Sequence, residues 1–92
     1  VVCSPEGYIK TLMLNDQSLL GTIPWELSLL SFLTFLDVSG NFLKGTVPTE
    51  LGLLTALSEL YVDGNSLTRA IPTDIGRLTS LSKLFVGFNA LT

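Results

Sequence analysis

The fold is decided by a repeated stretch that is clearest in residues 33–48, which read LTFLDVSGNFLKGTVP. Residues 9–24 and 57–72 align with it, and residues 81–92 form a further copy that stops before its proline. Each complete copy ends in a branched apolar residue and a proline, 24 residues after the previous pair. The pairs are Ile23-Pro24, Val47-Pro48 and Ile71-Pro72. A period of this length predicts a tandem array whose units bury their apolar faces by stacking on one another.

The spacing of apolar residues changes within each copy. The alternation of apolar and polar residues at positions 36–38 predicts a short strand with one buried face. After the proline, the spacing becomes three, as in Leu51, Leu54 and Leu57, which is typical of 3₁₀ or loose helical turns. Proline suits the start of such a turn because its φ angle is already set and it has no donor to lose.

An asparagine follows the predicted strand in three of the copies, at Asn41, Asn65 and Asn89. Its side chain has both a donor and an acceptor, so stacked copies can satisfy the loop backbone from one turn to the next. Gln17 occupies the same position in the first copy. Asparagine also favours turns in general, but that preference does not explain three asparagines at the same interval.

Composition excludes several classes of function. The net charge is −3 and the five basic residues are scattered, which argues against nucleic acid as a partner. The most apolar stretch, residues 27–36, is too short to span a bilayer. The chain has no histidine and one cysteine, so it offers no Ser-His or Cys-His pair, no cluster with metal-ligand spacing and no pattern for a cofactor. We therefore expect a protein that is not an enzyme.

The pattern Leu-x-x-Leu-x-Leu-x-x-Asn-x-Leu-x-Gly-x-Ile-Pro-x-x-Leu-Gly-x-Leu-x-x resembles the plant-type leucine-rich repeat over nearly the whole chain. The resemblance implies an α/β solenoid: a right-handed coil with a parallel sheet on its concave side and 3₁₀ or irregular turns on its convex side. It also implies short second strands. These are expected near Thr22-Ile23, Thr46-Val47 and Ala70-Ile71.

The start of the chain is similar to the end of that family's amino-terminal cap, because Val2-Cys3 is followed by Gly7-Tyr8-Ile9. The resemblance implies that Cys3 forms a disulfide with a cysteine upstream of Val1, in the secretory pathway. The localisation that follows is extracellular or a cell-surface ectodomain, with an organelle lumen as a further option. A lone cysteine is equally suited to being a small buried apolar residue.

We therefore expect one leucine-rich repeat domain over residues 1–92 that continues into further repeats or a larger complex. Its parts are a cap remnant at 1–8, repeats at about 9–32, 33–56 and 57–80, and a partial repeat at 81–92.

Two departures from the pattern bear on the second strands and the turns. Arg69-Ala70 stands where the earlier copies have Gly21-Thr22 and Gly45-Thr46. If those glycines require φ > 0, the third copy is expected to bend differently, with a break in its second-strand ladder. Ser28 replaces the glycine of the later copies, which is a milder change.

Strand residues that point away from the core form columns on the predicted concave face. These columns display aromatic residues at Phe35, Tyr61, Phe85 and Phe88. Exposed aromatic residues favour a partner-binding surface, with the first three as anchors. Two alternatives are that the rings cover one another along the sheet, and that Phe88 folds back over the carboxyl end.

The same columns carry charged residues. Glu59 and Lys83 fall in adjacent rows, where we expect a partly exposed ion pair or, alternatively, contact with a charged ligand. Asp37 and Asp63 lie near each other, so they are either solvated acids or a pair for a cation or acid–base chemistry. We include all four, with the aromatic residues, in the predicted partner-binding surface.

A second set of apolar residues lies outside the predicted core columns. These residues are Trp25, Leu29, Phe32 and Leu53. They either pack between adjacent turns or form a contact face on the convex side. The resemblance implies a receptor-like or secreted module that recognises a protein or peptide through its concave face without catalysis. The alternative is a structural or scaffold subunit held in a larger assembly through its edges and convex face.

Overall fold

The protein is a short solenoid with two sheets and three 3₁₀ helices. The computed structural model describes residues 2–3, 5 and 7–91, with backbone alone at residues 2–3. The first sheet has the strand order β1-β2-β4-β6-β8. Its strands are β1 Val2–Cys3, β2 Ile9–Met13, β4 Phe35–Asp37, β6 Glu59–Tyr61 and β8 Lys83–Phe85. The second sheet contains β3 Leu20–Thr22, β5 Phe42–Gly45, β7 Ser66–Arg69 and β9 Ala90–Leu91, in that order.

The first sheet follows the repeat residue for residue. Leu12, Leu36, Leu60 and Leu84 are register partners across β2, β4, β6 and β8, which are parallel. The period-2 alternation therefore places one side of every strand in the core and the other at the surface. The strand β1 pairs with β2 in the antiparallel sense, at the end of the sheet that precedes the first repeat. The disulfide predicted for Cys3 involves a side chain outside the described residues.

The second strands lie earlier in the sequence than predicted. They end at Thr22, Gly45 and Arg69, whereas the expected positions extended to Ile23, Val47 and Ile71. The ladder stops early because the chain turns inward there: Ile23 and Val47 are only 3% and 2% exposed, and the next residue is a proline without an N–H. The register partners in this sheet are 22 residues apart, as in Gly21 with Leu43, so its strands are staggered relative to the 24-residue repeat.

The predicted 3₁₀ turns are confirmed. They cover Trp25–Leu29, Thr49–Leu53 and Thr73–Arg77, and each follows a proline in extended conformation. The threefold apolar spacing buries Leu51, Leu54 and Leu57 completely. The core is therefore closed on one side by the first sheet and on the other by these helices. It is best covered in the middle of the stack, because Leu36 is 0% exposed whereas the equivalent Leu84 is 37% exposed.

The asparagine ladder is also confirmed. The Asn41 amide nitrogen donates to the carbonyl oxygens of Leu14 at 2.9 Å and Val38 at 2.8 Å, so it links two turns. Its Oδ1 accepts from the backbone N–H groups of Gln17 and Leu19, each at 3.0 Å. The equivalent asparagines of the next two repeats make corresponding bonds to the turn before them. Loop backbone inside the stack is therefore satisfied by side chains from the following repeat.

The break predicted at Arg69 is wrong. Arg69 has a φ angle of 66°, in the same positive region as Gly21 at 95° and Gly45 at 80°. The strand β7 ends at Arg69 and pairs with β9, so the second sheet continues through the third repeat. The stacked neighbours hold the backbone in one shape, and the arginine adopts it despite the steric cost of its Cβ. Ser28, the milder substitution, is almost fully buried at 9% exposure.

Candidate functional site

The outward side of the first sheet brings the predicted site residues into two adjacent columns. Phe35, Glu59 and Lys83 are register partners across β4, β6 and β8. Asp37, Tyr61 and Phe85 are register partners in the next column. Neighbouring parallel strands are about 4.8 Å apart, so the side chains within each column touch or nearly touch. We call these six residues, together with Asp63, the Tyr61 face.

Aromatic rings form a continuous path across the Tyr61 face. The ring centroids of Phe35 and Tyr61 are 5.3 Å apart at an interplanar angle of 37°. Those of Tyr61 and Phe85 are 4.8 Å apart at 48°. The alternative that the rings cover one another is therefore correct in part, yet Phe85 remains 50% exposed. Ring contacts of this kind add about 0.5–1.5 kcal/mol per pair, so the path is both a stabilising feature and an available surface.

The ion pair predicted between Glu59 and Lys83 is wrong. The Tyr61 hydroxyl donates to Glu59 Oε1 at 2.6 Å instead, along the same face of β6. Within residues 7–91, the structure shows no ion pair for Lys83, which is exposed. A hydroxyl two residues away on a rigid strand reaches the carboxylate with less loss of side-chain entropy than a flexible lysine on the next strand.

Negative charge surrounds the Tyr61 hydroxyl. Its pKa is raised from 10.0 to about 12, first by the hydrogen bond to Glu59, then by desolvation, and then by the charges of Glu59, Asp37 and Asp63. Loss of the phenolic proton would place a second anion beside carboxylates that are already charged. Tyr61 is therefore a neutral hydrogen-bond donor at the centre of a negative surface.

The two aspartates of the Tyr61 face have different surroundings. Asp37 Oδ1 accepts from the backbone N–H of Ser39 at 2.9 Å and from the Ser39 hydroxyl at 2.5 Å. Asp63 Oδ1 is buried and has no hydrogen-bond partner in the part of the chain that the structure describes. The described residues contain no group of three or more His, Cys, Asp or Glu side chains that could hold a metal ion. The geometry therefore brings the aspartates together as negative charges around Tyr61.

Phe88 lies outside this cluster. It is 92% exposed, so it does not fold back over the carboxyl end. Its φ angle is 53°, and the equivalent residues Asp16, Gly40 and Gly64 also have positive φ angles of 54°, 65° and 65°. An exposed phenylalanine in a conformation that suits glycine is unusual. The two glycines one and two periods earlier are the signal in the sequence that could have predicted it.

Sequence reasoning missed an apolar pair on the second sheet. Leu20 and Phe42 are register partners on β3 and β5, and they are 80% and 59% exposed. Both precede the core position of their strand, which is the signal that could have identified them. Close to this region, between the first two repeats, a groove of about 770 Å³ is lined by Pro24, Trp25 and Pro48, among other residues.

The convex-side residues are exposed as predicted for a contact face. Leu29 and Leu53 occupy equivalent positions on the first two 3₁₀ helices and are 70% and 58% exposed. Phe32 stacks on Tyr8, with ring centroids 4.1 Å apart at an interplanar angle of 28°. This stack closes the chain's amino-terminal end onto the first turn, so lateral packing explains Phe32 better than it explains the two leucines.

The chain is similar to known proteins in sequence and in structure. A family model for the Leucine Rich Repeat matches residues 32–54 and 56–78, which together make up half of the chain. No curated protein matched the chain. The BIR3–SERK2 complex of Arabidopsis thaliana contains a chain that is 37% identical with a TM-score of 0.90, over 97% of this chain and 49% of that one.

Two further solved structures show the same relationship. The PEPR1–AtPEP1 structure is 36% identical with a TM-score of 0.89, over 90% of this chain and 12% of that one. A plant ice-binding protein is 34% identical with a TM-score of 0.88, over 91% of this chain and 27% of that one. The chain thus spans half or less of the length of these structures. No helix among the described residues is long and apolar enough to cross a membrane.

Proposed function

The chain belongs to the leucine-rich repeat family, and from that membership we propose that it recognises a protein or peptide through the outward side of its first sheet. This side corresponds to the concave face of the solenoid. The half-exposed aromatic path across β4, β6 and β8 is the observation that carries the proposal. Phe35, Tyr61 and Phe85 are the anchors, Asp37, Glu59, Asp63 and Lys83 provide polar contacts beside them, and Phe88 extends the surface at the end of the fourth repeat.

The architecture supports recognition by preorganisation. The sheet register and the asparagine bonds hold the strands at fixed spacing, so the side chains of the Tyr61 face need little ordering when a ligand arrives. Affinity is improved when the cost of ordering is already met in the free protein. Aromatic residues are well suited to such a surface because they bury a large area with few rotatable bonds.

The comparisons support the class of partner. Structures similar to this chain include PEPR1–AtPEP1 and the peptide hormone receptor RGFR1 in complex with RGF2. In this proposal the module is non-catalytic, needs no cofactor, and acts outside the cell or in the secretory pathway as part of a receptor-like or secreted protein. Residues 1–8 are the remnant of a cap, and the repeats continue in a longer array or a larger complex.

Photo-cross-linking tests which face is used. Benzoylphenylalanine is placed singly at Phe85, at Phe88, at Phe42 on the second sheet and at Leu29 on the first 3₁₀ helix. Each protein is irradiated in an extract of the tissue that expresses it. We expect adducts from Phe85 and Phe88, with loss of the Phe85 adduct when Phe35 and Tyr61 are both changed to serine. Adducts from Phe42 or Leu29 alone, with none from Phe85, would contradict the proposal.

A second candidate is a structural subunit held in a larger assembly through its edges and convex side. The observation in its favour is the exposure of Leu20 and Phe42 on the second sheet and of Leu29 and Leu53 on the 3₁₀ helices. Apolar side chains grouped in this way usually meet a partner. The same cross-linking experiment separates the candidates, because a structural subunit gives stoichiometric adducts from Phe42 or Leu29.

A further inference from the structure

We propose that the ligand segment bound by the Tyr61 face carries a basic side chain, an arginine or a lysine, that lies against Tyr61 between Asp37 and Asp63. The inference rests on the proposed function and specifies its partner as a basic peptide segment. An aromatic sheet face alone would suit many apolar ligands, so the choice of partner depends on the charges around the rings.

The register places carboxylates on three sides of the Tyr61 ring. Asp37 is its neighbour on β4, Glu59 precedes it by two residues on the same side of β6, and Asp63 follows it by two residues. Phe85 occupies the fourth side, on β8. A group that lands on Tyr61 therefore meets an aromatic surface and negative charge at the same time.

These negative charges have no cationic partner within the protein. Across residues 7–91 the structure shows no ion pair for Asp37, Glu59 or Asp63. Asp37 and Glu59 accept hydrogen bonds only from neutral groups, Ser39 and Tyr61, which leave the charge in place. Asp63 has a buried oxygen without any donor, so its charge is also uncompensated. The raised pKa of the Tyr61 hydroxyl is consistent with the same negative potential.

The combination favours a guanidinium or an ammonium group over other ligand groups. A cation near an aromatic ring is attracted by the ring's quadrupole, and carboxylates add charge-assisted hydrogen bonds. A ligand carboxylate or phosphate would be repelled by all three acids. A neutral apolar ligand would have to desolvate the carboxylates without replacing their hydrogen bonds to water. Arginine fits best, because its planar group can stack on a ring and still reach a carboxylate.

Selection from a random peptide library displayed on phage provides the probe. The immobilised full chain is the target, and the enriched peptides are synthesised for measurement by calorimetry. We expect enrichment of arginine and lysine over the starting library. In the best peptide, replacement of its arginine by the neutral isostere citrulline is expected to weaken binding about tenfold, since two charged contacts are lost.

Charge variants of the chain complete the cycle. Asp37→Asn and Asp63→Asn keep the shape and the acceptor at Asp37, and each is expected to weaken the arginine peptide about threefold. In the double variant, the citrulline and arginine peptides should bind equally. The matched control is Glu26→Gln with Glu50→Gln, which removes two charges from the exposed side of the 3₁₀ helices and should leave binding unchanged.

Each outcome decides between the proposals. Selected peptides that lose binding when Tyr61 is changed to serine, yet contain no basic residue, overturn this inference and leave the proposed function intact. Peptides whose binding ignores Tyr61, Asp37 and Asp63 overturn both. Equal loss of binding in the Glu26 and Glu50 control means that only the net charge of the chain matters, which also overturns the inference. An absence of enrichment above the unselected library counts against it as well.

Discussion

The hydroxyl of Tyr61 donates a hydrogen bond of 2.6 Å to Oε1 of Glu59, two residues earlier on the same strand face. This bond takes the carboxylate that would otherwise be available to Lys83 on the next strand. It also keeps Tyr61 protonated, in contact with the rings of Phe35 and Phe85. One short-range bond thus sets the charge pattern of the surface that we propose to bind a partner.

The first prediction concerns the titration of Tyr61. The chain has two tyrosines, so Tyr8→Phe leaves Tyr61 as the sole phenol to titrate. Its ultraviolet absorbance should give a pKa of about 12 instead of 10.0. With Glu59→Gln added, the pKa should fall but stay above 10.0, because Asp37 and Asp63 remain charged. An identical titration curve with and without the Glu59 change would contradict this account.

The same shift predicts a pH dependence of stability. The pKa is higher in the folded chain than in the unfolded chain, so the stabilisation is fully present below pH 10.0 and is lost as the pH rises through about 12. Urea unfolding of the wild type and of Tyr61→Phe across this range measures the effect. The wild type should lose stability more steeply, and parallel curves would show that Tyr61 plays no part.

The second prediction concerns the asparagine ladder. The Asn41 side chain is 5% exposed and makes five hydrogen bonds, so Asn41→Ala leaves several buried backbone groups unpaired. We expect the free energy of unfolding to fall by about 3 kcal/mol or more. Asn15→Ala is the control, because the Asn15 amide bonds only to the adjacent Asp16 and should cost less than about 0.5 kcal/mol. Equal losses at both sites would refute the ladder's role.

The third prediction concerns Arg69. Its φ angle of 66° belongs to the left-handed region, where a side chain costs about 1 kcal/mol. Arg69→Gly should therefore raise the free energy of unfolding, by somewhat less than that amount because glycine also gains entropy in the unfolded chain. Arg69→Ala keeps the Cβ and should give no gain. If alanine and glycine stabilise equally, loss of the arginine side chain and not backbone relief is the cause.

The fourth prediction separates two glycines at the same position of the repeat. A Cβ on Gly52 would lie 2.5 Å from the backbone oxygen of Asp74 in the next 3₁₀ helix, whereas a Cβ on Gly76 would meet no atom within 4 Å. Gly52→Ala should destabilise the fold by about 1–3 kcal/mol through overpacking. Gly76→Ala should be neutral or slightly stabilising. Thermal unfolding of both variants measures the difference, and similar melting temperatures would rule out the close approach.

Much of the fold was predictable because the repeat constrains it more than once. The 24-residue period, the alternation at positions 36–38 and the threefold spacing after each proline all agree, and the structure has the expected strands and 3₁₀ helices. The outward columns followed from the same register. The second strands were misplaced, because a stagger of 22 residues between them leaves no trace in a 24-residue pattern.

The sequence by itself determined the repeating unit, the buried and displayed positions, and the family, because these follow from local periodicity that every copy repeats. Only the tertiary structure decided which displayed residues interact. Glu59 bonds to Tyr61 and not to Lys83, Arg69 adopts the backbone of a glycine, and Gly52 is confined where Gly76 is not. These outcomes depend on distances between neighbouring turns, and a one-dimensional pattern that treats every copy alike does not contain those distances.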